Sequence, residues 1–569
     1  MSTFNLIDEP WISVVTDYKG TTKLVGLKEF FQNAHTYIAL AGDMPTQDFA
    51  VMRFLLAILH TVFSRYDAHG EVYEMIEVND RMQQVEKVYE EDEEEYEDAL
   101  METWRDLWTA EKCPDIVVQY LETWHDRFYL FDEKYPFYQV TEDIIRKCTL
   151  RSHQGPADKA GEMSFKTINR LISETGKNTS IFSMVNGGDG ANKGKLSNAQ
   201  LTRWIINFMG YTETPDKIKI TSFEGIEDIE KYDGHKGWLY AIGGLHYQTD
   251  QLYKTLLLNL VLVHPAQKFA TSMQTPAWEL TPAENIQFYV ENHSIDNLAR
   301  LYTDYSRAMR ISDKENEFGG YLEIIQLPIL DKKYNLLECM TIWKKNNKKD
   351  EHFAPKANEP LESLWRNFGL VFYRQHSSDA LYRIPHIVEW TNKMSKWIDS
   401  SRIQLVGLGI EGKTASNTMI NEMHDELRCN LEVSSDLAAQ GWVVRINDTV
   451  EKIKRFIERD YQRFTEDVIS LEKGSGKSNK TQYLESVYYQ MDKPFRDWLS
   501  SIEPNENKDE KINQIMDIFK KTVLDEVKKI CQGLSNKFYI GVEVKRNNKI
   551  QYKNIATVLN DFMPKIKSL

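Results

Sequence analysis

Cysteine is scarce. Five occur in 569 residues, Cys113, Cys148, Cys339, Cys429 and Cys531, and no two share a CxxC spacing. An odd, scattered set excludes a disulfide framework and a cysteine zinc site, and reads as free thiols in a reducing compartment. Long apolar runs are also missing. The longest, Leu256–Val263, is far short of the roughly 20 residues that a membrane-spanning helix needs. The opening residues include Asp8 and Glu9 and lack the basic segment and apolar run of a secretory leader. A cytoplasmic protein with no membrane contact is the expectation. Positive charge is in deficit too: the formal net charge is −15, which alone argues against a nucleic-acid partner. Neither GxSxG nor HExxH occurs. His125-Asp126 and His424-Asp425 lack the companion ligands of a metal-dependent hydrolase. These patterns therefore offer no catalytic residue, no metal and no cofactor.

What is present is ordinary in bulk and uneven in detail. Hydrophobic residues make up 41% and charged residues 27%, enough for a large core without disulfides. Aromatics reach 12%, with 13 Trp and 28 Tyr. Charge is segregated. Glu90–Asp98 reads EEDEEEYED, with eight acidic residues, whereas Lys511–Leu569 holds 12 Lys/Arg against 5 Asp/Glu. The first is ordinarily a solvated face. Lys332 and Lys333, then Lys344, Lys345, Lys348 and Lys349, offer phosphate contacts, although each taken singly is equally a solvated surface residue.

A length prior of about 150 residues per domain suggests two to four domains. No internal repeat of fixed period is found. FNLIDEPWISVV reads as strand and turn, KLVGLKEFF (23–31) as a strand entering a helix, and Gln47–Tyr66 as a helix with an apolar face of Phe54, Leu55, Ile58, Leu59 and Val62. Ser197 sits where it caps a helix over 198–209. Residues 320–330 and 402–408 read as strands. Beyond about residue 430 glycine thins out and helical periodicity dominates. Val443–Val468, Gln482–Ile502, Ile512–Cys531 and Ile550–Ile566 are four candidate helices, and 533–549 is looser, with FYIGVEV extended. The expected architecture is an α+β domain over 1–430 followed by an all-α four-helix bundle over 431–569.

The sharpest local motif is Gly407-Leu-Gly-Ile-Glu-Gly412-Lys413-Thr414, which fits the phosphate loop GxxxxGK[ST]. In that reading Lys413 reaches phosphates and Thr414 holds magnesium. The second acidic strand of such a site has one candidate, Trp442–Asp448, and Arg445 interrupts it. A P-loop NTPase and a helical scaffold binding only proteins both stay open at this point.

An ordered series of segments carries a family resemblance. FNLIDEPWISV (4–14), Gly26–Phe31, RFYLFDEKYPFYQV (127–140), GKNTSIF (176–182), LSNAQLTRW (196–204), Ala277-Trp278-Glu279, Tyr302–Ile311, Met340–Trp343 and Arg402–Ser416 resemble, in order, landmarks of the CasA/Cse1 large-subunit family of type I-E CRISPR Cascade complexes. The resemblance implies a non-catalytic subunit. Its partners would be a guide-RNA (crRNA) complex with the other Cascade subunits, double-stranded target DNA and a separate helicase-nuclease effector. It would recognise the motif flanking the target (PAM) from the minor groove and help open the duplex, while guide pairing reads the target itself. Minor-groove readout separates mainly A·T from G·C, so a promiscuous flanking preference would follow.

Residue by residue, Asn178, Thr179 and Phe182 match the segment that contacts the guide's 5′ end and a neighbouring subunit. The glycine loop that approaches the groove is Gly234–Gly237 or Gly243-Gly244. A lysine finger lies within Lys332–Lys345. The duplex wedge aligns with Glu411–Ala415, which includes Gly412, Lys413 and Thr414, where some relatives place a glutamine. Some relatives also carry a zinc-like cysteine cluster in mid-domain. This chain has only Cys339 there, so no zinc is implied.

Overall fold

Pro45 opens a 19-residue helix, α1 (Pro45–Phe63), where its missing N–H costs nothing in the first turn. Apolar side chains occur all round this helix, and nearly all of them are buried, as expected of an element packed on every side. It is the one helix among the described residues long and apolar enough to cross a membrane by composition, and 94% of the relevant window lies inside the fold. The computed structural model describes all residues except 1–2, 153, 170, 172–193, 213–217, 228, 230–235, 266–267, 292–293, 317–318, 329–335, 348, 360–361, 374–379, 399–401, 414–417, 474–480 and 547–548.

The chain forms two compact units. Unit 1 comprises Met1–Leu361, His376–Ile398 and Leu405–Asp425; unit 2 comprises Glu362–Gln375, Asp399–Gln404 and Glu426–Leu569.

Unit 1 mixes helices and small sheets around α1. The strand Ile12–Val15 pairs antiparallel with Thr22–Val25 and Ala39–Leu40. A six-stranded sheet runs Arg307–Asn316, Gly319–Gln326, Lys219–Ser222, Thr149–Ser152, Gly155–Ala157, with Gly161–Ser164 added on Gly319–Gln326. Helix α2 (Asn198–Tyr211) starts at the expected Ser197, whose side chain and that of Gln200 form a reciprocal capping box. Two further three-stranded sheets matter for function. One has the order β1 (Gly244–Gln248), β5 (Arg402–Lys413), β6 (Thr418–Asn430). The other has β2 (Trp343–Lys344) between β3 (Ala354–Pro355) and β4 (Tyr382–Arg383).

Unit 2 is mainly helical. α3 (Trp442–Arg455) continues through a π-helical turn, Phe456–Tyr461, into α4 (Gln462–Lys473). α5 (Thr481–Ser500), α6 (Lys508–Gln532) and α7 (Ile555–Lys567) follow. Aromatic packing joins them: Phe464 stacks on Phe562 at 4.6 Å, and Phe456 meets Phe519 edge-on at 5.7 Å. The last helix is shorter than its periodicity suggests. Lys549–Lys553 pairs with Val542–Arg546 as a hairpin, and Asn554 caps α7 only afterwards. The apolar/polar alternation of KIQYK suits a strand, and pairing decides the matter.

Candidate nucleic-acid interface

The phosphate-loop reading needs a strand, a loop and then a helix. Here Gly407 through Lys413 are all part of one extended strand, β5, and the next described element is a second strand, β6, rather than a helix. Trp442–Asp448, the candidate second strand, is helical in α3. The nucleotide cradle is therefore not formed. Gly412 and Lys413 instead end the strand β5, and Thr414 lies outside the described residues. Asn178, Thr179, Phe182, Gly234, Lys332 and Lys333 also lie outside the described residues.

Gly237 has a packing reason. A Cβ there would sit 2.2 Å from the Gly210 carbonyl oxygen and 2.8 Å from that of Met209, so only glycine lets this segment lie against the end of α2. Its N–H donates to Thr212 O at 2.9 Å. Gly243 is equally constrained: a Cβ would meet Asn358 N and Lys356 O, both at 2.6 Å. Both close approaches are to the protein's own backbone.

Trp238 begins the turn after this loop and is buried. Its indole donates to Glu338 Oε2 at 2.6 Å. Arg53 of α1 donates to both oxygens of the same carboxylate at 2.7 and 2.8 Å, and the Met340 N–H donates at 2.9 Å. The pair is fully buried. Burial works against the Arg53 charge, but Glu338 outweighs it and the guanidinium pKa is raised. Arg53 also lies 4.0 Å from the Tyr302 ring centroid. Two residues after Met340 the chain enters β2 through Ile342, and Trp343 is fixed by donation to Glu338 O at 3.1 Å.

β2 then presents its lysines. Lys344 is exposed and Lys345 half-buried. Lys345 Nζ lies 4.8 Å from the Phe353 ring centroid and the Arg383 guanidinium 4.6 Å from the same ring. Among the described residues no carboxylate pairs with Lys344, Lys345, Lys349 or Arg383. The nearest in sequence, Asp350, accepts from the Asn346 and Asn347 N–H groups at 2.9 and 3.2 Å and so closes its own turn. Phe353 and Arg383 complete this cationic patch, and no local motif announces either of them.

A second buried group joins the patch to β5. The Asn358 carboxamide donates to Leu408 O at 2.8 Å and Gly244 O at 3.3 Å. Lys356 O accepts from Gly243 N–H at 3.0 Å, and Lys356 N–H donates to Ile342 O at 2.8 Å. The Gly243-Gly244 turn, the lysine strand and the strand leading to Gly412-Lys413 are thus fastened to one another within unit 1. Elsewhere, His125 is held by Asp8 at 2.7 Å and Asn5 at 3.3 Å, a structural role. Among the described residues no group of three or more metal-ligating side chains is assembled. All five cysteines are free.

A family model for CRISPR-associated protein Cse1 matches residues 5–526. This chain belongs to the Cse1 family. A curated CasA/Cse1 protein of Thermus thermophilus is 25% identical over 324 residues, 56% of this chain and 51% of that protein; the match spans about half the length of that relative. Among solved structures, Thermobifida fusca Cse1 superposes with a TM-score of 0.71 at 21% identity, over 100% of this chain and 98% of that one. A chain of a CRISPR RNA-guided surveillance complex matches with a TM-score of 0.62 at 12% identity, over 100% of both. The Cse1 fold thus extends over the whole chain, unit 2 included.

Proposed function

We propose that this Cse1-family chain is the large, non-catalytic subunit of a cytoplasmic, crRNA-guided surveillance complex. It reads the bases flanking the target in double-stranded DNA, helps open the duplex and recruits a separate helicase-nuclease. The observation that carries this is the double fastening of the candidate loops. Glu338 links the Trp238 turn to the lysine strand, and Asn358 links that strand's sheet to β5. The Trp238 turn, Gly243-Gly244, the cationic patch and β5 are thereby held in fixed mutual register, as a reader of duplex geometry requires. The cations of β2 and β4 would hold phosphates and set orientation, while the glycine loop, at Gly234–Gly237 or Gly243-Gly244, would meet base edges. Gly412 and Lys413, at the end of β5, and Thr414 after them would wedge the opened pair. Asn178, Thr179 and Phe182 would meet the guide RNA and a neighbouring Cascade subunit. The helices of unit 2 would form the family's four-helix bundle.

The test is a mobility-shift titration of the whole guide-RNA complex, with and without this chain, on duplexes that differ only in the bases flanking the target, at one fixed salt concentration. Binding that depends on those bases and disappears without this chain supports the proposal. Binding indifferent to both overturns it, and a complex with no DNA affinity in either form leaves only a protein scaffold.

A further inference from the structure

A cavity of about 190 Å³ lies within unit 1, lined by residues of α1, β1, β5 and β6. Phe49, Met52 and Leu408 give it apolar walls. The Phe49 and His246 rings lie 5.5 Å apart at an interplanar angle of 33°, so one end of the space is bounded by flat groups. Asp48, His246, Gln248, Thr255 and His424 contribute the polar edge. The His246 Nδ1 is buried and has no hydrogen-bond partner, a cost that a bound donor or acceptor would relieve.

The electrostatics narrow the ligand class. Burial raises the Asp48 carboxyl to about 7, against the Gly42 N–H that it accepts at 2.7 Å and against nearby Arg203. Burial lowers His246 to about 3. Below pH 7 the Asp48 carboxyl is therefore mainly protonated, and the His246 ring is neutral. Asp43 and Glu422 lie close enough to Asp48 to disfavour its ionised form, and they would repel a phosphate in the same way. The volume suits one ring system: an apolar cavity of about 150 Å³ takes a benzene-sized ligand. A neutral, planar, hydrogen-bonding heterocycle satisfies all of these conditions.

We propose that this cavity receives a single nucleobase from an unpaired strand, its faces against Phe49 and Met52 and its edge toward Asp48 and His246. This rests on the reading of Gly412-Lys413-Thr414 as a duplex wedge: Gly412 and Lys413 end β5, the strand whose Val406 and Leu408 line the cavity. A free nucleoside offers the same chemistry, so the test separates the two sources.

Fluorescence titrations would compare single-stranded DNA oligonucleotides carrying either 2-aminopurine or an abasic residue at one position, using the full-length chain. Saturation-transfer NMR with adenosine, cytidine, guanosine, thymidine and ribose 5-phosphate forms the second arm. Gln248→Trp fills the cavity, and Asp48→Asn keeps its shape while altering the edge; thermal unfolding confirms that each variant is folded. The expected result is a preference for the base-bearing strand on the order of tenfold, erased by Gln248→Trp and reduced by Asp48→Asn. Equal binding of both strands overturns the proposal, whether or not free nucleosides give a signal. Base-dependent binding here together with a flanking-base titration that shows no discrimination would retire the wedge reading and leave the cavity's ligand class standing.

Discussion

The Trp238 indole and the Arg53 guanidinium share one acceptor, the buried Glu338 carboxylate, at 2.6 Å and at 2.7 and 2.8 Å. Removing one member of a buried ion pair leaves an uncompensated charge and costs about 3–5 kcal/mol. Arg53→Met is therefore expected to lower the urea midpoint of unit 1 strongly, and Glu338→Gln somewhat less, because the amide oxygen still accepts from Trp238. The double variant Arg53→Met/Glu338→Gln should recover much of the loss. A double variant as unstable as the sum of the singles would show that the two residues do not act as a pair.

Gly237 and Gly243 are expected to resist substitution for a reason independent of DNA. An alanine Cβ at either position meets backbone atoms at 2.2 to 2.8 Å, and at Gly243 also the Cγ of Asn358, whose carboxamide is itself hydrogen-bonded. Overpacking of this kind costs about 1–3 kcal/mol. Denaturant unfolding of Gly237→Ala and Gly243→Ala, without nucleic acid, should show the loss. If both variants unfold like the parent, their glycines serve the ligand rather than the fold.

These two examples show which parts of the molecule were legible in the chain. Ser197, Gln200 and α2 could be read because a capping box is local, and α1 because an apolar stretch with Pro at its start has few alternatives. Glu338 could not be read: its partners lie 285 and 100 residues away. Asn358 reaches across 114 and 50 residues. The GxxxxGKT pattern misleads for the converse reason. It is a local rule, and the pairing of β5 with β1 and β6 overrides it. The landmark Ala277-Trp278-Glu279 is a packing knot: Trp278 donates to Tyr120 Oη, which donates to Glu279, which in turn holds Arg65.

The cationic patch makes a different kind of prediction. Lys345 and Arg383 flank Phe353 without a carboxylate partner among the described residues, so their charge is available to phosphate. Lys345→Ala and Arg383→Ala should each weaken duplex binding by the assembled complex to a similar degree for every flanking sequence. Each should also reduce the slope of log affinity against log salt by about 1. A change in flanking-base preference with an unaltered salt slope would mean that the residue reads bases.

Unit 1 should lose stability in mild acid. His60 and His246 are held neutral by burial, their pKa values lowered to about 3, and burial lowers His264 well below its ordinary value. In each case the unfolded chain takes up the proton first. The stability these groups contribute is therefore complete above about 6.5 and is lost as pH falls toward about 3, by up to about 1.4 kcal/mol per pH unit for one fully buried histidine. Asp48 opposes them. Its value is raised to about 7, so its contribution is complete below the ordinary carboxylate range and lost as pH rises through about 7. Three histidines against one strongly shifted aspartate leave a net loss on acidification. Urea midpoints measured from pH 7.5 to 5 should fall, and His60→Phe, which replaces a ring already packed edge-on to Tyr302 at 5.6 Å, should make that fall shallower by about one proton's worth of slope. A pH dependence identical in parent and His60→Phe would mean that His60 stays neutral in the unfolded chain as well or finds a charge-stabilising partner in the folded one, and the acid lability would then have to come from His246 and His264.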